Sequence, residues 1–134
     1  MSNEKKKQYL RRYLVAKRCA ALLLEQIESL RENKMSPSGT LDGMPHGSGT
    51  SDLSGYAARL DELMRELEAE REMQMVTYHE IWNQVKKISN ATEQELLTRR
   101  YLIGQSWEKI AVEMHYSYRQ IIRIHGAALQ HFSW

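Results

Sequence analysis

Cysteine is almost missing from this sequence. Cys19 stands alone, so no disulfide can close within the chain, and on a helix it reads as a small buried hydrophobe. Proline is nearly as scarce: there are two, both between Asn33 and Asp52, so the segments on either side can carry long helices. One phenylalanine and few β-branched runs argue against a sheet. No run approaches the ~20 apolar residues of a membrane span. Charges interrupt every apolar stretch of "KKKQYLRRYLVAKRCAALLLEQ", so no secretory signal is expected. The expectation is a soluble intracellular protein with no membrane partner.

Catalytic patterns are missing too. The five histidines, His46, His79, His115, His125 and His131, make no metal-ligand spacing with Cys19 or a carboxylate pair. No serine sits in a nucleophile elbow. The glycines of Gly47–Ser48–Gly49–Thr50–Ser51–Asp52 end in an acid where a phosphate-binding loop needs a lysine followed by Ser or Thr. No enzyme, metal or cofactor is therefore expected. His125 and His131 are expected on the last helix, facing phosphate or solvent.

What is present is helix periodicity and uneven charge. The net charge of +2 hides a basic start, an acidic middle and a basic end. Tyr9, Tyr13, Ala16, Ala20, Leu23, Ile27 and Leu30 recur at alternating spacings of four and three. That predicts a helix from about Lys5 to Arg31 packed along another helix, with Leu10, Leu14, Ala21 and Leu24 widening the stripe. A second helix is expected from an Asp52 N-cap to Ile88, on Leu53, Tyr56, Leu60, Leu63 and Leu67, then Tyr78, Ile81, Val85 and Ile88. Met64, Met73 and Met75 read as gap fillers. At 1.5 Å per residue the second helix is roughly 54 Å long and the Tyr9–Leu30 stripe about 32 Å. Tyr78, Ile81, Val85 and Ile88 would then lack an intrachain partner unless the C-terminal helices fold back on them. Such a stripe predicts a homodimer.

The predicted class is all-α. Residues 1–90 form a coiled-coil-like helical hairpin with a Gly/Pro-rich connector at 33–52, and residues 91–134 a three-helix, helix-turn-helix domain. In the latter, Thr92 with Glu95 reads as a capping box opening a helix to Ile103, and Gly104 as its stop. Ser106 caps a short helix, and Ser117 with Gln120 makes a capping box opening the last one, which ends near Ser133.

On that last helix Ile121, Ile124, Ala128 and Leu129 make the core face, which leaves Tyr118, Arg119, Gln120, Ile122 and Arg123 over. A recognition helix enters the major groove N-terminus first, so its reading residues cluster in the first two turns. Arg119 and Arg123 suit guanine, Gln120 adenine, and Ile122 a thymine methyl. Ser117 opens the helix at that end. Lys109, Arg99 and Arg100 are placed for backbone phosphates. The expected partner is double-stranded DNA.

"TEQELLTRRYLIGQSWEKIAVEMHYSYRQIIRIHGAAL" resembles region four of bacterial sigma factors, which binds the −35 promoter element. Ile110–Ala111, Ser117, Ile121, Ile124 and Ala128–Leu129 stand in that family's motif positions. The resemblance implies base contacts at Arg119, Gln120 and Arg123, and contact with host RNA polymerase. Ile122 stands where that family has a polar or basic residue, and His125–Gly126–Ala127 where it has charges, which implies a different DNA sequence. The whole chain resembles phage transcription regulators of the ArpU and RinA type, most specifically at Met44–Pro45–His46–Gly47–Ser48–Gly49. That implies a phage or prophage regulator of late genes, acting in the bacterial cytoplasm. The alternatives are a small-terminase-like DNA-packaging protein, or a helical interaction protein that does not bind DNA.

Overall fold

The structure is a computed structural model. It describes the backbone of residues 1–35 and 49–134, and the side chains of 1–33 and 53–134. Positions 36–48, with most of the Met44–Gly49 signature, lie outside the described residues. Every regular element among the described residues is helical: α1 Asn3–Met35, α2 Gly49–Val85, α3 Ala91–Leu97, a π-helical segment Thr98–Ile103, α4 Trp107–Met114 and α5 Tyr118–His131. Helix α2 begins three residues before the expected Asp52 cap, whose side chain is not among those described, and ends three before Ile88. No described helix is long and apolar enough to cross a membrane.

The chain forms two compact units. The terminal unit comprises residues 1–16 and 73–134, the middle unit residues 17–72. Part of α1 and part of α2 serve each.

In the middle unit, Ala20, Ile27, Leu63 and Leu67 are buried together, with Leu23, Leu30 and Leu60 packed against them. These are the positions that the four-and-three periodicity selects. The stripe does not widen here as expected, since Ala21 and Leu24 are exposed, whereas Leu10 is buried and Leu14 half-buried in the terminal unit. Cys19 is also exposed rather than buried. It follows Arg18 on the solvent side, so its burial was misjudged from residue type alone. Met64, Met73 and Met75 fill no gap either, at 47%, 53% and 64% exposure.

The terminal unit holds a larger core. Leu10, Ile81, Val85, Leu96, Leu97, Ile110, Ile121, Ala128, Leu129 and Phe132 are essentially inaccessible, joined by Tyr9, Ile88, Tyr101, Leu102 and Ala111. Each such side chain contributes about 1.5–3 kcal/mol by leaving water. Ile81, Val85 and Ile88 are thus covered within the chain, and Tyr78 packs against Tyr13 with ring centroids 5.2 Å apart. The C-terminal helices and the start of α1 supply the cover, so the uncovered stripe that suggested a dimer does not exist.

Two local elements differ from the sequence reading. Asn90, not Thr92, caps α3, its side chain accepting from the Glu93 amide at 3.1 Å. The expected single helix to Ile103 is α-helical only to Leu97 and π-helical after it. The Gly104 amide bonds the Arg99 carbonyl five residues back, at 3.0 Å. Gly104 ends the segment as expected, at φ 88. A Cβ there would lie 3.3 Å from Leu14 of α1, so glycine serves both the left-handed conformation and the close approach.

Candidate nucleic-acid interface

Helix α4 opens on Ser106, whose hydroxyl accepts from the Lys109 amide at 3.2 Å. It closes on His115, a non-glycine residue in the left-handed region at φ 60. The chain then turns through Tyr116 to Ser117. The Ser117 hydroxyl accepts from the Gln120 amide at 3.1 Å, and the Gln120 side-chain carbonyl accepts from the Ser117 amide at 3.0 Å. This reciprocal cap fixes the direction in which α5 leaves the turn.

Helix α5 is strongly one-sided. Ile121, His125, Ala128 and Leu129 are buried, while Tyr118, Arg119, Gln120, Ile122 and Arg123 are exposed. Tyr118 is 51% and Ile122 40% exposed, so the apolar surface offered beside the arginines is considerable. Arg119 and Arg123 are four apart, one turn of helix, and neither guanidinium is engaged by another described residue. Gln120 differs: its Oε1 also accepts from the Ser117 hydroxyl at 3.1 Å. A bidentate adenine contact needs that oxygen as well as the amide nitrogen, so Gln120 can read a base only by loosening its own cap.

The three residues expected at phosphates have unequal freedom. Lys109 is exposed on α4, but the same helix exposes Glu108 and Glu113. Arg99 is half-buried; its Nε donates to Glu95 Oε2 at 2.8 Å and its Nη1 to Gln105 Oε1 at 3.4 Å. Arg100 donates to the Gln105 carbonyl at 3.1 Å and lies 4.2 Å above the Trp107 ring. Both arginines thus tie the π-helical segment to the start of α4. A phosphate can reach only their remaining N–H groups.

The expected solvent-facing position is found for His131, which is exposed, but not for His125. His125 is 7% exposed; its Nε2 pairs with the Tyr101 hydroxyl at 2.8 Å and its ring meets Trp107 edge-on at 4.6 Å. Burial pushes its pKa down to about 4, helped by the charges of Lys7, Arg100 and Arg11. Burial likewise raises the Tyr101 hydroxyl. His131 pairs through Nδ1 with Glu93 Oε2 at 2.8 Å, joining the end of α5 to the start of α3. A helical wheel places His125 in register with Ile121 and Ala128, a signal the residue type obscured.

Lys6 was missed altogether. It is 9% exposed, and its Nζ donates to the Leu129 carbonyl at 2.6 Å and the Gln130 carbonyl at 3.4 Å, near the end of α5. These carbonyls carry the negative end of the helix dipole. Lys6 stands three residues before Tyr9 and so extends the four-and-three stripe, a signal that its charge obscured.

Comparison of the chain with protein-family models, with curated proteins and with solved structures finds no match.

Proposed function

We propose that the protein is a DNA-binding transcription regulator of phage or prophage type. In this reading α4, the turn at His115–Ser117 and α5 act as a helix-turn-helix, and the middle unit is a helical hairpin. Helix α5 lies in the major groove with Arg119 and Arg123 toward base edges. The observation that carries this is the free, basic first half of α5, held by a capping box over a fully packed opposite face. The resemblance to sigma region four supports promoter DNA as the target, with polymerase contact adding affinity. Because Ile81, Val85 and Ile88 are covered within the chain, one copy reading one half-site is the simplest stoichiometry.

Sequencing the genomic fragments that co-purify with the protein supplies its site. On that site Arg119→Ala or Arg123→Ala should each cost about 1–3 kcal/mol of binding. Lys109→Gln should weaken all duplexes alike and reduce the salt slope by about 1. Equal affinity of wild type and both arginine variants for the site removes α5 from the groove.

A further inference from the structure

Residues 1–18 carry seven Lys or Arg against one acid, Glu4. In the terminal unit, α1 is anchored at two places against the C-terminal helices. Lys6 holds the Leu129 carbonyl near the end of α5, and Leu14 lies against Gly104, three residues before α4 begins. Tyr9 packs between them, its ring 5.8 Å from Phe132. Residues 6 to 14 therefore run from the end of α5 toward the start of α4.

Lys7 and Arg11 fall between those anchors, four apart on one face of α1. Lys7 is half-buried and Arg11 exposed. Arg100 reaches the same stretch, donating to the Gln105 carbonyl next to Gly104 and lying above Trp107, and the charges of all three lower the His125 pKa. Cations from two distant parts of the sequence thus meet where α1 docks at Gly104, just before α4. The only carboxylate paired with Lys7 or Arg11 among the described residues is Glu4, at 3.9 Å and 3.7 Å respectively. Exposed pairs at such distances are weak. Neighbouring Arg12, by contrast, is held at 3.0 Å by Glu80 and is not part of the group.

We infer that Lys7, Arg11 and Arg100 form a phosphate-binding strip that takes the sugar–phosphate backbone of the duplex beside the start of α4. This rests on the DNA-binding reading above and extends it to α1. Like charges are costly to gather, and here the core gathers them by docking α1 through Lys6 and Leu14. A polyanion relieves that repulsion, and DNA releases bound counterions for each phosphate neutralised. The strip would fix the register of the protein on the duplex and leave base choice to α5.

The test is fluorescence anisotropy with labelled duplexes, one carrying the co-purified site and one scrambled, across a salt series. Lys7→Gln/Arg11→Gln should weaken both duplexes equally, roughly tenfold or more near 0.1 M salt, and lower the log–log salt slope by about 2. Glu4→Gln should tighten both, since it frees the same two cations; a purely structural role for these residues predicts no gain. An unchanged slope in the double variant, or no gain from Glu4→Gln, overturns the strip. If Arg119→Ala and Arg123→Ala lose site affinity while the α1 variants bind as wild type, the strip falls and the α5 reading stands. If only the α1 variants lose affinity, the strip stands and base reading by α5 falls. Absence of any duplex binding by the wild type at low salt overturns both.

Discussion

The two units are built of the same two long helices and differ in nearly everything else. In the middle unit four described residues, Ala20, Ile27, Leu63 and Leu67, are buried in one core, and two of these are small or at the edge of burial. In the terminal unit fifteen are, and polar contacts reinforce them: Lys6 on the Leu129 carbonyl, Tyr101 on His125, His131 on Glu93. A pair of helices can bury only one stripe each. When α3, the π-helical segment, α4 and α5 surround the other parts of α1 and α2, those same helices bury Leu10, Thr77, Ile81 and Val85 at 1% exposure or less. Stability should therefore be concentrated in the terminal unit, and the middle unit should open first.

The strongest way to break this comparison is to cut one residue from each core. Phe132→Ala, which empties a fully buried site, should cost about 3–5 kcal/mol. Leu67→Ala, at the thinner core, should fall at or below the lower end of the ~2–5 kcal/mol range for such truncations. Urea unfolding of both variants measures the pair; equal losses would mean that the two units share one stability. Native-state hydrogen exchange should show the same asymmetry, with the 17–72 amides exchanging faster.

A second test uses pH, since His125 belongs to the terminal core alone. Its folded pKa of about 4 lies below the ordinary 6.5, so between these values the unfolded chain binds more protons. The neutral imidazole is required in the fold. Stability is thus complete above pH 6.5 and falls as pH drops toward 4, by about 3 kcal/mol if the whole shift is realised. Thermal melts from pH 7 to 4 should show this for wild type. His125→Phe should melt with a flatter pH profile, although it leaves the Tyr101 hydroxyl unpaired.

The smallest effect is expected at Gly104. Alanine there must adopt a left-handed backbone with its Cβ 3.3 Å from Leu14, at a cost of about 1–2 kcal/mol. The loss should appear in the terminal unit, with exchange in residues 17–72 unaltered. A loss spread evenly over both units would blur the division between them.

The long helices, the Ser106 cap and the Ser117–Gln120 box were legible because each is a local signal: a periodicity, or a capping side chain three residues from its partner. So was the split of α5 into Ile121, Ala128 and Leu129 on one side and Tyr118, Arg119 and Arg123 on the other. Helix register marked the burial of Lys6, three before Tyr9, and of His125, four after Ile121, but the partners of Lys6, Glu93 and His125 were not legible, because they lie 123, 38 and 24 residues away. The π-helical segment was hidden for a similar reason. Its start differs from an α-helix by one carbonyl, and Leu96, Leu97, Arg100 and Tyr101 fit either spacing. The placing of Arg99 and Arg100 was legible in part: their helix was foreseen, but not Glu95, Gln105 and Trp107 holding them. Those partners lie within seven residues, but only the π-helical turn and the bend at Gly104 show which of them the guanidiniums meet.

The bond between Lys6 and the Leu129 carbonyl spans 123 positions of the chain. On a ribosome, which adds about 5–20 residues per second, the first turns of α1 are therefore made roughly ten seconds before the surface they cover. Through that interval Tyr9 and Leu10 have no permanent neighbours, while the middle segment can already pair with itself. All-helical chains usually fold fast because their contacts are local. Here the final step must join the two extremes of the core, so refolding should be slow for a helical protein of this size, with the 17–72 pairing formed early and the terminal core assembled last.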